Sequence, residues 1–265
     1  MLDGFMDAVL IKIKMKRILM LFIIICSCKE QKKVEEIVSN ISVFVPIEEE
    51  IENQFDKNFI LGKFNYRKDT SFVKVKKMHS SKTLYIKRET YLSFVRMFNS
   101  AKLEGINLKI ISGTRNFYEQ KSIWERKWER YKNLKPINRA KKILEYSSMP
   151  STSRHHWGTD IDLNNLNNSY FDKGIGKKEY DWLVKNANKY GFFQVYVSKV
   201  NGRKGYNIER WHWSYIPLSG EYLKHYRKNI KVDDISGFKG SELSKELDVI
   251  NVYVNGVSKQ LIEDK

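Results

Sequence analysis

The chain has 265 residues, 42% of them hydrophobic and 13% aromatic, which excludes an intrinsically disordered chain and suits one medium domain with extensions. Its formal net charge of +17 would suit phosphates, but the Lys and Arg are scattered (Lys74, Lys76, Lys77; Arg126, Lys127, Arg130; Lys141, Lys142). With no zinc-finger spacing and no aromatic-rich strand-binding signature, nucleic acid is not the expected partner, and an anionic cell-wall polymer or membrane face suits the charge equally well.

Both cysteines, Cys26 and Cys28, lie near the start, so neither can staple a domain. Residues 18–26 form a short apolar run behind Lys12, Lys14, Lys16 and Arg17, the layout of a secretory leader. The run is too short to span a bilayer comfortably. It ends in Ile25-Cys26-Ser27-Cys28, which resembles a bacterial lipobox. That resemblance implies that residues 1–27 are a lipoprotein signal peptide and that Cys28 carries the lipid. Met15 is then a candidate start, with residues 1–14 an upstream over-extension. A lipidated protein is exported, so the expected location is the cell envelope, membrane-anchored and facing the periplasm or the exterior.

Residues 28–60 are polar and charged around one apolar patch, ISVFVPI, and read as a tether. The first helix is expected in RETYLSFVRMFNSAKLEG, with Leu92, Val95 and Phe98 at helical spacing and Gly105 as its stop. INLKIISGTR follows as a β-rich run that delivers Ser112 to Arg115 at a strand end. A second helix is expected from Tyr118 to about Tyr131, with Ile123, Trp124 and Trp128 on one face, and another in NRAKKILEYS. DIDL reads as a short strand. KKEYDWLVKNANKYGFF reads as a helix turning Tyr180, Leu183, Ala187 and Tyr190 inward, with Gly191 as its cap. FFQVYV and RWHWSYI are strand candidates on either side of a turn at Asn201-Gly202. Helices followed by interrupted strands predict an α+β domain with a small antiparallel sheet flanked by helices.

Two clusters carry the chemistry. SRHHWGTDIDLN packs His155, His156, Asp160 and Asp162 around Gly158, in a chain with 5 histidines. Zinc sites that hydrolyse commonly draw three ligands from His, Asp and Glu and leave a position for water. Gly158 lets the backbone turn, and strand alternation puts Asp160 and Asp162 on one face, so pattern alone does not choose between the aspartates. The second cluster is Glu209-Arg210-Trp211-His212-Trp213. Glu209 and His212 would face opposite ways in an extended chain, so a bulge or a strand start must bring them together. A glutamate beside a metal ligand is the general base that a hydrolase needs.

Ser112-Gly113-Thr114-Arg115 with Gln120, then Ser153-x-His155-x-x-Gly158-x-x-x-Asp162, then Glu209-x-Trp211-His212 resemble the ordered motifs of VanY-type zinc D-alanyl-D-alanine carboxypeptidases. Their superfamily also holds D-Ala-D-Ala dipeptidases, lysostaphin-like endopeptidases and the hedgehog domain. The resemblance covers roughly residues 85 to 220 and implies a catalytic domain over 61–220, leaving 221–265 as a C-terminal extension. It implies one zinc ion held by His155, Asp162 and His212, with Glu209 as the proton-shuttling base. Arg115 would bind the substrate's carbonyl or carboxylate and stabilise the oxyanion, and Gln120 and Ser153 would bind the peptide's terminal portion. The substrate implied is a peptidoglycan stem peptide ending in D-Ala-D-Ala. An endopeptidase of the same fold, or a non-catalytic zinc-stabilised wall-binding module, are the rival expectations. Two positions depart from the family pattern: Thr114 stands where an aromatic is usual, and Asp160 where a small apolar residue is usual. His156 is expected to be exposed or to support the site, and His79 and His225 to face solvent. Trp124, Trp128 and Trp182 read as core, and Trp211 and Trp213 as packing behind the site.

Overall fold

The computed structural model describes residues 55–261. The expected leader, Cys28 and most of the expected tether lie outside the described residues. The end of that segment packs into the core: a short helix, α1 (Lys57–Ile60), is capped by the Asp56 side chain and buries Ile60 completely. Two short strands, β1 (Phe72–Lys74) and β2 (Tyr85–Lys87), then pair antiparallel and lead directly into α2 (Arg88–Leu103).

The α2 helix buries Tyr91, Phe94, Met97, Phe98 and Ala101. Leu92, expected inward, is 56% exposed, and Val95 is half-buried. Two apolar stripes overlap on this helix, and the one with the aromatic rings and Met97 buries more area, so it turns to the core. His79 also differs from its expectation. It is buried, with Nδ1 2.7 Å from the Tyr91 hydroxyl and its ring edge-on to Phe98 at 4.5 Å. Burial pushes its pKa down, and the nearby Lys109 and Lys76 charges push it the same way, so the ring is held neutral among aromatics. His225 is half-buried against Phe55 rather than open to solvent.

A four-stranded antiparallel sheet carries the centre of the fold. It consists of β3 (Ile110–Ser112), β4 (Asp160–Leu163), β5 (Phe192–Gln194) and β6 (His212–Tyr215), in the order β3-β4-β6-β5. In β4 and β6, Ile161, Leu163, Trp213 and Tyr215 point into an apolar cluster shared with α2 and with Trp182 and Leu183. Those last two residues lie on α5 (Gly174–Asn186), which Gly191 closes in the left-handed conformation one 3-10 turn later. The α+β architecture with a small antiparallel sheet is therefore as the sequence predicts.

The second apolar cluster lies around α3 (Phe117–Arg130), α4 (Pro136–Ile143) and α6 (Ile216–Asn229). A full capping box starts α3: the Asn116 side chain accepts from the Glu119 N–H, and the Glu119 carboxylate accepts from the Asn116 N–H, both at 2.9 Å. Trp124 and Trp128 are core residues, as expected, and what covers them is the C-terminal segment. Ile235, Phe238, Leu247, Val249 and Val254 are all buried in this cluster. The Trp124 indole donates to the Lys239 carbonyl at 2.8 Å, and Lys121 Nζ to the Gly237 carbonyl at 2.7 Å. Residues beyond α6 thus complete the core and brace α3. Phe238→Ala is expected to lower the unfolding free energy by about 3–5 kcal/mol, as for other buried aromatics. Urea denaturation measures this, and a loss below about 1 kcal/mol, the size of a surface substitution's effect, would mark the segment as peripheral.

Candidate metal centre and active site

Strand register assembles the site. Asp162 on β4 stands opposite His212 on β6 and Ser112 on β3, so three adjacent strands contribute to one row. Asp160 stands opposite Ser214 on the same face. The segment before β4 is a single 3-10 turn, Arg154–Trp157, that ends at Gly158 with φ 73°. A Cβ there would lie 2.4 Å from a Phe72 ring carbon, so glycine is required both by conformation and by space. This sharp turn swings His155 back over the strand that carries Asp162. Glu209 and His212 are brought together at a strand start: the His212 N–H donates to the Glu209 carbonyl at 3.3 Å, closing a turn just before β6.

His155, Asp162 and His212 are all buried, and their ligand atoms lie within 4.8 Å of one another. His155 Nε2 is 3.4 Å from Asp162 Oδ2, and His212 Nδ1 is 3.2 Å from Asp162 Oδ1. The other nitrogen of each ring is already engaged. His155 Nδ1 donates to the Gly113 carbonyl at 2.9 Å, and His212 Nε2 donates to Asp160 Oδ1 at 3.0 Å. Carbonyl and carboxylate oxygens only accept, so the nitrogens facing Asp162 keep their lone pairs in the neutral rings. Asp162 Oδ1 has no hydrogen-bond partner although it is buried. Two inward imidazole nitrogens and an unsatisfied carboxylate oxygen, the donor types zinc prefers, fit a divalent metal.

Charges in the cluster follow from burial and mutual contact. Burial works against the ionised form of Asp162, but His155 and His212 hold its carboxyl well below the usual carboxylate range. Burial opposes protonation of His212, yet Asp160, Asp162 and Glu209 surround it and raise its pKa well above the ordinary histidine value. Glu209 Oε2 lies 3.4 Å from His212 Nδ1, and burial pushes the Glu209 pKa up. A carboxyl moved toward neutrality in this way is suited to taking and returning a proton.

Asp160 does not compete for the metal position. Its Oδ1 also accepts from Arg154 Nε at 2.9 Å, and its Oδ2 from Thr159 Oγ1 at 2.7 Å. Arg154 Nη2 continues to Ser214 Oγ at 2.7 Å. All four residues are buried, so Asp160 sits between a ligand histidine and a buried guanidinium. His156, whose exposed alternative the structure excludes, is fully buried. Its Nε2 accepts from the Ser151 N–H at 3.1 Å, and its Nδ1 donates to the Arg115 carbonyl at 2.7 Å. The Arg115 N–H in turn donates to the His155 carbonyl at 3.1 Å. The paired histidines therefore divide: one faces the metal position, and the other clamps the backbone of Arg115.

Arg115 Nε donates to Gln120 Oε1 at 3.0 Å, its Nη1 contacts Ser112 Oγ, and the same nitrogen is 4.0 Å from Asp162 Oδ2. Gln120 is buried, and its Nε2 donates to the Ser148 carbonyl at 2.8 Å, so both ends of its amide are in use. Ser153 Oγ is buried without a partner. Thr114, one of the departures from the family pattern, is buried and pairs its N–H with the Tyr85 carbonyl at 2.9 Å. These groups line a cavity of about 560 Å³ whose wall includes Arg115, Gln120, Ser153, Glu209 and the three candidate ligands. Trp213 packs behind the sheet as expected, whereas Trp211 lines the cavity beside Tyr146, because the turn at Glu209 rotates it out of strand alternation. The sequence reading assigned no cavity role to Lys127, Arg154, Tyr196 or Tyr206. Lys127 carried one signal, its place two helical turns after Gln120; Tyr196 and Tyr206 sit in irregular chain with no periodicity to reveal them.

Removing the Asp160 carboxylate would leave Arg154 as an uncompensated buried charge. Asp160→Ala is expected to destabilise the metal-free protein by about 3–5 kcal/mol, and the double variant R154M/D160A to recover most of that loss. Chemical denaturation of both variants checks this, and equal destabilisation of the two would contradict the pairing.

The VanY family model, described as D-alanyl-D-alanine carboxypeptidase, matches residues 83–218. YodJ of Bacillus subtilis is 31% identical over 134 residues, which cover 50% of this chain and 46% of that protein. A D-alanyl-D-alanine carboxypeptidase of Enterococcus faecalis is 26% identical over 168 residues, 61% of this chain and 59% of that protein. The chain spans about half the length of the curated relatives it matches. A crystal structure of a vancomycin-resistance D,D-pentapeptidase VanY variant with Zn(II) aligns with a TM-score of 0.47 at 21% identity, over 65% of this chain and 92% of that one. With the family model matched over half of its length, the chain belongs to the VanY family of D-alanyl-D-alanine carboxypeptidases.

Proposed function

We propose that this protein is a zinc-dependent D-alanyl-D-alanine carboxypeptidase that removes the last residue of peptidoglycan stem peptides. The observation that carries the reading is the buried His155, Asp162 and His212 set with Glu209 3.4 Å from His212 in one cavity. Family membership and the names of the relatives support the bond and substrate class. His155 Nε2, an Asp162 oxygen and His212 Nδ1 would hold the metal. Zinc, when bound, supplies a Lewis acid that polarises a carbonyl and makes water more acidic.

The chain's own residues do the rest. Glu209 takes a proton from the attacking water and delivers it to the leaving amine, so one carboxylate serves both halves of the reaction. Arg115, with its backbone clamped by His155 and His156 and its guanidinium by Gln120 and Ser112, presents its remaining donors to the oxygen that gains charge. A guanidinium held by two side chains on a clamped backbone is pre-organised, which is what such stabilisation requires. Ser153 Oγ, unpaired inside the cavity, is free to bond the peptide. The acidic base beside the ligand set also speaks against a purely binding role, since a binding module needs no proton carrier.

The full chain loaded with zinc is expected to release free alanine from a pentapeptide ending in D-Ala-D-Ala. Glu209→Ala should slow release by roughly 100-fold or more, and chelation should abolish it. Product masses check the bond: a fragment larger than alanine would point to an endopeptidase, and activity that survives both treatments would sink the mechanism. The envelope location rests on the lipobox-like Ile25-Cys26-Ser27-Cys28 and its basic flank. Cys28→Ala is expected to move the protein out of the membrane fraction, and unchanged fractionation would refute the lipid anchor.

A further inference from the structure

The cavity wall holds three cations, and two of them are committed. Arg154 is paired with Asp160 at 2.9 Å, and Arg115 is held by Gln120 and Ser112 with Asp162 4.0 Å away. The third, Lys127, lies on α3 seven residues after Gln120, two turns along the same helix face. Its ammonium donates to Ser147 Oγ and makes no ion pair with a carboxylate among the described residues. Burial pushes the Lys127 pKa down, as does the neighbouring Arg130, while Glu209 pulls it up. A half-buried lysine costs solvation energy that a single neutral hydroxyl offsets poorly, so its position calls for an anion that is absent from the free protein.

The direction of the substrate follows from Glu209. This residue hands its proton to the leaving amine, so the departing residue sits on the Glu209 side of the metal position. The carboxylate of that departing residue is one carbon beyond its amine. Lys127 and Glu209 line the same cavity, so the ammonium faces the space that the departing residue would enter. Ser153 Oγ adds a second unpaired group to the same cavity, buried at 2% exposure. Gln120, whose amide oxygen accepts from Arg115 and whose Nε2 donates to the Ser148 carbonyl, braces Arg115 and brings no charge to meet a carboxylate.

We propose that Lys127 receives the free terminal carboxylate of the substrate and so makes the site selective for chain ends over internal bonds. The inference rests on the carboxypeptidase reading for the identity of the peptide, but its test is made by binding. Lys127 gives up its contact with Ser147 or shares it, and the ammonium forms a charge-assisted hydrogen bond to the carboxylate. An internal peptide bond brings an uncharged amide to the same place, which leaves the half-buried ammonium without a counter-charge. Rejection of internal sites thus comes from an unsatisfied charge rather than from a steric wall.

The test uses the zinc-loaded full chain carrying Glu209→Ala, titrated calorimetrically with an acyl-D-Ala-D-Ala peptide and with its C-terminal amide. The acid is expected to bind roughly 10- to 100-fold more tightly than the amide, the range of a hydrogen bond to a charged group. Adding Lys127→Met should erase that ratio, and Lys127→Arg should restore part of it. A ratio unchanged by Lys127→Met would overturn the proposal, as would failure of the acid to bind at all. A third peptide, with an amidated terminus and an acidic residue two positions upstream, separates the two possible sources of the carboxylate. If Lys127→Met weakened only that peptide, the lysine would serve a side chain and the proposal would be wrong. Failure of the unmutated protein to release alanine would instead count against the carboxypeptidase reading, while the acid-to-amide ratio would still decide the role of Lys127.

Discussion

The arrangement of this site depends on one fully buried ion pair, Arg154 with Asp160. Arg154 belongs to the turn that presents His155, Asp160 to the strand that presents Asp162, and Ser214, which accepts from the same guanidinium, to the strand that presents His212. One side chain therefore links the three elements that supply the candidate ligands. The Asp160 carboxylate also accepts from His212, so the pair sets the ring orientation as well as the backbone positions. Burying such a pair adds little net stability compared with apolar packing, but removing either partner is expensive. Its value is geometric: a histidine turned by a fixed carboxylate offers its other nitrogen in one direction only.

Positioning extends outward from that pair in two directions. Toward the substrate, the backbone of Arg115 is fastened to His155 and His156, so the residue that would meet the developing charge moves with the ligand turn. Toward the periphery, α3 carries Gln120 and Lys127 into the cavity and is held on its outer face by residues 237–239. Among the described residues none of the C-terminal segment lines the cavity wall, yet this segment braces the helix that forms part of it. Its apolar residues give α3 a second packed side, which a helix standing at the edge of a small sheet would otherwise lack.

Charge is distributed on the same plan. Asp160, Asp162 and Glu209 converge on His212, and the two imidazoles and the Arg115 guanidinium surround Asp162. A divalent cation can take over the role that the imidazoles play in the free protein, because the donor atoms already face one point. Lys127 lies apart from this balance and brings a cation that makes no ion pair with a carboxylate among the described residues.

The sequence by itself determined the α+β class, the strand at DIDL and the glycine turn at Gly158, because these follow from short-range pattern, while the residues that converge on the site were implied by the resemblance of its ordered motifs to a known family. Alternation placed Asp160 and Asp162 on one face but could not separate them, since both truly share that face. The family resemblance implied Asp162, and the tertiary structure shows how the two differ in place: Asp162 lies opposite His212 and near His155, whereas Asp160 is taken by Arg154, a contact made across the fold's interior. The same holds for His79, which local lysines made look exposed and which long-range aromatic packing buries. It holds again for residues beyond α6, whose apolar side chains have no partner until Trp124 and Trp128 are brought to them. Periodicity reports which face of an element is apolar; what that face meets depends on strand register and on packing between distant segments, which no local pattern encodes.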